Sequence, residues 1–337
     1  MNLNPLTPWP GNDHITTEKK FRAMGTDVVA SIVSSDSASA CAATEDVARM
    51  IDAFEKRFSR FLSSSELCVL NKTSGDVCHM SAEMIDMLEV AQQWHKETGG
   101  IFDPTICEAL ERVGYNKSFD VASAASQTKE SEEFDGDAHH QRFLVCPRFS
   151  DLRIHKEAGS VTMPHGMKLD FGGIGKGYII DVVARMLSYT YHNFWVSAGG
   201  DMFLSGCDSD AKPWEIMVQD PFNFEHDIGY LVMAGKKEIA VATSGIMKRK
   251  GEKEGVAWHH IIDPHTRLPA ANTIVAVTVI APTVTTADVC AKTILILGEQ
   301  KGIDFIEQQE GCACLIIKKD RSLAFSRAME EHFIAYP

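Results

Sequence analysis

The chain has 337 residues, 45% of them hydrophobic, and its 33 Lys and Arg against 46 Asp and Glu leave a formal net charge of -13. That length and apolar content support a buried core and argue against a disordered chain. The acidic balance argues against nucleic acid as a partner, because phosphate backbones demand clustered Lys and Arg, but a small anionic ligand held by backbone amides and one or two cations remains open.

Residues 1–18 read as a flexible tail, without the cationic start and apolar run of a secretory signal. No uninterrupted apolar segment approaches the roughly 20 residues that a membrane helix needs. The expectation is a cytoplasmic protein with no membrane partner, and residues 19–337 forming a single domain. The nine cysteines are odd in number and scattered, which suits reduced thiols, and Cys312 and Cys314 read as core thiols in a strand. KFRAMGTDVVASIV at 20–33 reads as a strand interrupted by Gly25. Val47, Met50, Ile51, Phe54, Phe58 and Phe61 then recur at three or four residues, the spacing of an amphipathic helix. A second helix spans 81–98 and stops at Gly99-Gly100. Residues 117–142 turn polar and acidic and read as a mobile surface loop. Beyond them, a Gly-rich turn at 172–177 opens a helix to about 188. Strands are expected near 193–198, 214–219, 238–243, 259–262 and 274–281, a helix at 285–297 and a strand at 312–318. Strands and helices mix without a strict βαβ rhythm, which predicts an α+β fold: antiparallel or mixed sheets with helices packed on one side.

Several segments have residue types suited to chemistry. Asp170-Phe171-Gly172-Gly173-Ile174-Gly175-Lys176-Gly177 ends a strand and starts a helix. Its glycines admit close backbone approach, its helix-start amides favour an anion, and Lys176 adds a point charge, so it reads as a nucleotide site or as a tight turn. The spacing fits neither the P-loop nor the dinucleotide fingerprint. Gly199 and Gly200 follow an apolar strand as a hairpin or a close backbone approach; Thr243 and Ser244 before Gly245 suit a turn or a ligand contact; Asp103-Pro104-Thr105 is a turn by default. His260 and Ile262 share one face of a strand that ends at Asp263-Pro264, which places a titratable ring and a carboxylate near a strand end. His260 is the candidate general base, Asp263 a group that orients it or fixes the strand end, and His259 the outward neighbour. Asp288, in the first turn of the last long helix, reads as a macrodipole partner or as a hard oxygen ligand for magnesium.

Taken in order, Ala23-Met24-Gly25-Thr26, Phe58-Ser59 with Ser65-Glu66-Leu67 and Asn71, Phe102-Asp103-Pro104-Thr105, Asp170 to Asp181, Gly199-Gly200-Asp201, Ala242-Thr243-Ser244-Gly245, His260 to Pro264, and Ala287-Asp288 ending at Gly298 resemble the FAD:protein FMN transferase family, known as ApbE. The resemblance spans about residues 20–320. It implies an ApbE-like, T-fold-related architecture and an enzyme that splits FAD, passes FMN to a Thr or Ser of an acceptor protein as a phosphoester, and releases AMP. A cytoplasmic redox protein is the expected acceptor. Hydrolysis of FAD to FMN and AMP, and non-catalytic FAD delivery, are the alternatives. By motif position, FAD is expected at Met24, Phe61, Ile101, Phe102, Asp103, Asp170, Lys176 and Ile262, with Gly199, Gly200, Thr243 and Ser244 beside it. Magnesium is expected near the Gly173 carbonyl and Asp288. Two departures stand out. Phe61 replaces the family's usual tyrosine and keeps the flat ring without the hydroxyl. Lys292 stands where the family carries a metal-ligating threonine, and an ammonium cannot ligate a cation. Either Lys292 supplies a fixed positive charge in place of some or all of the metal, or it points away and Thr293 or water completes the metal shell.

Overall fold

The computed structural model describes residues 14–73, 75–115, 147–253 and 256–336. The loop expected at 117–142 and residues 1–13 of the expected tail lie outside them. Strands β1 (Ile15–Ala23) and β2 (Thr26–Ser34) pair antiparallel with Ala23 opposite Thr26. The strand expected over 20–33 is therefore a hairpin, turned by Met24 at φ 52° and Gly25 at φ 65°, and β1 starts inside the stretch expected as tail. Helix α1 (Ser37–Phe58) begins where the Asp36 side chain accepts the Ser39 N–H, and it buries Val47, Ile51, Phe54 and Phe58 along one stripe. It ends at Ser59, so Phe61 sits in the following turn. Short α2 (Glu66–Lys72) and β3 (Val77–His79) lead to α3 (Ala82–Glu97), close to the helix expected over 81–98 and N-capped by Ser81.

After α4 (Cys107–Arg112), strands β4 (Arg153–His155) and β5 (Ser160–Thr162) join β3 in a small sheet ordered β3-β5-β4. Helix α5 (Gly175–Ser188) precedes β6 (Phe194–Ala198), β7 (Asp201–Ser205), β8 (Glu215–Asp220), β9 (Asn223–Val232) and β10 (Glu238–Gly245). The stretch expected as one strand at 259–262 divides into two ribbons, β11 (Lys250–Lys253) with β12 (Val256–His259) and β13 (Ile262–Asp263) with β14 (Leu268–Pro269), so His260 lies in a bend between them. Strand β15 (Ile274–Ala281), helices α6 (Val284–Leu297) and α7 (Glu299–Ile306), and strands β16 (Ala313–Lys318), β17 (Leu323–Phe325) and β18 (Phe333–Ala335) complete the chain.

The main sheet has eight strands in the order β1-β2-β6-β7-β10-β15-β16-β17, and each neighbouring pair within it is antiparallel. Strand residues alternate between its faces. Ala240, Ala242, Cys314 and Ile316 enter the core that also holds α1, α5 and α6. Ile239, Val241, Leu315 and Ile317 enter a second core with Ile216, Val218 and Leu231. The expectation of helices on one side holds for the first face, and a three-stranded sheet ordered β18-β9-β8 covers the other. Among the described residues, no helix is long and apolar enough to cross a membrane.

Helices α5 and α6 are locked together at their starts. The Asp181 carboxylate accepts the Val284 N–H at 2.7 Å, the Thr285 N–H at 2.8 Å and the Thr285 hydroxyl at 2.5 Å, satisfying donors that a helix start leaves unpaired. A Cβ on Gly177 would lie 2.7 Å from the Thr285 Cα, so only glycine permits this approach. The contact sets the first turns of both helices beside the end of the sheet.

Candidate active site

Two adjoining recesses open along this edge, clefts of roughly 770 and 730 Å³, and they share Phe61, Tyr115, Asp170, Gly172 and Arg249. The first is walled by Ile101, Phe102, Asp103, Ile262, Gly173, His260, Lys292 and Thr293. The second is walled by Met24, Phe54, Phe58, Arg60 and Lys176.

The Gly-rich turn is held from both sides. Asn71 brackets Leu169, accepting its N–H at 2.8 Å and donating to its carbonyl at 2.9 Å. Asp170 is 8% exposed; it lies 2.5 Å from Arg60 Nε and accepts the Gly172 N–H at 2.7 Å. A buried carboxylate needs such partners, and this one pins the turn and the guanidinium together. Arg60 also donates to the Tyr115 carbonyl and lies 4.2 Å from the centre of the Phe61 ring. The Phe61 ring therefore stays at the junction, edge-on to Tyr115 at 6.0 Å. On the opposite wall, His95 Nδ1 donates to the Phe102 carbonyl at 2.9 Å, and the Asp103 carboxylate accepts from the N–H and hydroxyl of Thr105 at 2.8 and 2.7 Å.

Two buried carboxylates and two half-buried ammoniums meet where α5, α6 and the β6–β7 turn converge. The Lys176 ammonium pairs with Asp201 and lies 3.9 Å from Asp288 Oδ1. Lys292, one turn after Asp288 on α6, pairs with that same oxygen. Asp201 and Asp288 are 1% and 0% exposed. Burial would raise Asp288, but the ammoniums of Lys176 and Lys292 outweigh it and hold the carboxyl below its usual range. Burial pulls Lys176 down to about 8, with Asp288 opposing and Lys292 and Arg249 adding to the shift.

His260 faces the first recess. Its Nδ1 lies 3.3 Å from the Arg249 carbonyl, which can only accept, so Nδ1 carries the proton and Nε2 keeps the lone pair. Burial, then the positive charge of Arg249, pulls the ring down to about 3, so the imidazole is neutral at physiological pH. Asp263 does not reach it: that carboxylate accepts the His265 N–H at 2.8 Å and fixes the turn after β13. His259, expected to face outward, is half-buried with Nε2 donating to the Ala270 carbonyl at 3.0 Å.

Met24, Phe61, Ile101, Phe102, Asp103, Asp170, Gly173, Lys176, His260, Ile262, Lys292 and Thr293 thus line one continuous double recess. Gly199 and Gly200, at φ 65° and 98°, make the β6–β7 turn outside its lining and so place Asp201. Thr243 and Ser244 also lie outside the lining; the Thr243 N–H donates to Asp201 at 3.2 Å and its hydroxyl bonds Thr278 at 2.9 Å. Sequence reasoning left out Arg60, Tyr115, Asp201 and Arg249. Asp201 and Arg60 adjoin residues it did select, but no local signal shows a pairing across 25 residues with Lys176 or across 110 with Asp170.

The expected divalent-cation position combines Gly173, Asp288 and Thr293. Asp288 Oδ2 and Thr293 Oγ1 are buried without a hydrogen-bond partner, so two oxygens of that set are available. The other Asp288 oxygen holds the Lys292 ammonium, with Lys176 close by, and no group of three His, Cys, Asp or Glu among the described residues gathers into a metal shell. Lys292 does not point away. With two ammoniums on its one carboxylate, this site as folded does not fit a divalent cation.

The fold and site together define an α+β protein with a cation-lined double recess suited to an anionic ligand. The chain belongs to the ApbE family, whose sequence model matches residues 24–316. Among similar curated proteins, FAD:protein FMN transferase from Vibrio cholerae is 27% identical over 279 residues, covering 82% of this chain and 79% of its own length. The one from Treponema pallidum is 28% identical over 306 residues, covering 85% and 79%. The crystal structure of the ApbE protein from Thermotoga maritima superimposes with a TM-score of 0.80 at 25% identity, over 94% of this chain and 98% of that one.

Proposed function

We propose that this chain is an FAD:protein FMN transferase that binds FAD across the joined recesses and transfers FMN to a hydroxyl of an acceptor protein. The observation that carries the reading is the meeting of Lys176, Lys292, the Gly172-Gly173 turn and a neutral His260 across the two joined recesses. Cleaving a pyrophosphate spreads negative charge over phosphoryl oxygens, and fixed cations and amides that already point at that charge lower the barrier. The acceptor hydroxyl attacks the phosphorus on the FMN side. A new P–O bond forms, the P–O bond to the AMP half breaks, AMP leaves as the anion, and the hydroxyl proton passes to His260 Nε2. The flat Phe61 ring at the junction suits stacking on a flavin or adenine face.

The acceptor is proposed to present a Thr or Ser side chain and to be a redox protein met in the cytoplasm. Fractionation of cells carrying the full-length chain checks the compartment, and recovery in the membrane fraction would count against it. The activity is tested by incubating the protein with FAD, with and without a candidate acceptor. AMP release matched by a covalent FMN adduct on the acceptor's intact mass is the expected result. FMN and AMP in equal amounts without any adduct would make the chain an FAD pyrophosphatase, and bound FAD with no product would make it a carrier.

A further inference from the structure

We propose that the Lys292 ammonium, seated on Asp288, takes the place of a divalent cation in this chain, so that phosphoryl transfer here proceeds without bound metal. The inference rests on reading the recess as the FAD site and deepens that reading. Asp288 and Lys292 are one helical turn apart on α6, with the acid on the N-terminal side, the favourable orientation for such a pair. Asp288 is fully buried and cannot turn to solvent, so its partner is fixed once the helix forms. Lys292 also lines the first recess, where its stem passes 3.8 Å from a Cβ built on Gly173. The ammonium thus occupies the junction of carboxylate and recess at which a bound cation would have to sit.

Charge balance favours the same conclusion. Lys176 and Lys292 neutralise Asp201 and Asp288 before any ligand enters. A divalent cation added there would meet two ammoniums, and it could not coordinate Asp288 fully without displacing Lys292. A diphosphate entering instead meets two half-buried ammoniums already oriented by their carboxylates. The thiol- and histidine-poor lining offers no alternative metal shell among the described residues.

The test uses the full-length chain freed of metal with EDTA. Mn2+ is titrated without FAD and free ion is read by electron paramagnetic resonance, for the wild type, Lys292→Thr and Lys292→Arg. AMP release from FAD in the presence of a candidate acceptor protein is measured in parallel with EDTA or with Mg2+. The wild type and Lys292→Arg should leave Mn2+ free, whereas Lys292→Thr should bind it at least about tenfold more tightly. Wild-type AMP release should be the same in EDTA as in Mg2+ to within about twofold, well inside the loss expected when a true metal site is emptied. Tight Mn2+ binding by the wild type, no gain in a folded Lys292→Thr chain, or a tenfold or larger loss of wild-type activity in EDTA that Mg2+ restores (about the size of a lost ligand) would each overturn the proposal. If Lys292→Thr does not fold, the wild-type and Lys292→Arg arms still decide it. Should no AMP appear under either condition with the acceptor present, the functional reading fails, while the Mn2+ titration still reports on the cation position.

Discussion

The two faces of the main sheet are built by the same alternation and do different work. On the strand-covered face, Ile239, Val241, Leu315 and Ile317 pack against Ile216, Val218 and Leu231. On the helix-covered face, β10 contributes Ala240 and Ala242, and these small residues let α6 lie close to the sheet. That approach carries Asp288 and Lys292 to Lys176 at the start of α5 and to Asp201 at the start of β7. The lesson is that the functional edge depends on helix starts brought together by small residues, and the other face supplies rigidity alone.

The comparison can be broken by removing groups from either face. His260→Ala should slow FMN transfer by about 10²–10⁴-fold while FAD affinity stays near the wild-type value, because the ring moves a proton and does not anchor the ligand. Single-turnover transfer and an FAD titration check this, and an unchanged rate would remove His260 from the chemistry. Asp170→Ala leaves the buried Arg60 guanidinium without its carboxylate and releases the Gly172 amide, so it should cost about 3–5 kcal/mol of stability and weaken FAD binding. Urea unfolding and the same titration measure both. Leu315→Ala, on the strand-covered face, should cost about 2–5 kcal/mol, with the transfer rate unchanged wherever the protein remains folded. A rate loss there would show that the two faces are coupled. Asp263→Ala removes one turn hydrogen bond and should cost about 1 kcal/mol with no change in transfer.

pH sharpens the contrast further. Because burial and Arg249 hold His260 at about 3 in the free protein, it stays deprotonated as pH falls through the ordinary histidine range. The acid limb of kcat/KM, which reports free-enzyme groups, should therefore lie well below pH 6. A limb near 6.5, the unperturbed histidine value, would contradict this environment.

Local chemistry made part of this legible. The helix expected over 81–98 and stopped at Gly99-Gly100 is α3, and the motif segments from Met24 to Gly298 collect in the double recess or beside it. Other features depended on distant partners. The Met24-Gly25 hairpin puts a methionine at positive φ, which few local rules anticipate. The bend at His260 and the turn that claims Asp263 follow from ribbons only two to four residues long, too short for a periodic signal. The third layer, β8, β9 and β18, assembles segments about 100 residues apart, with Phe333 opposite Leu231. Lys292 is the reverse case: the sequence marked it as anomalous, and its place on Asp288 gives the anomaly a physical role.

The most direct test of the account is a structure of the protein with FAD bound. The account predicts the diphosphate between Lys176 and Lys292, alongside the Gly172-Gly173 turn, with His260 Nε2 facing it. FAD seated elsewhere, with its phosphates away from both ammoniums, would contradict it.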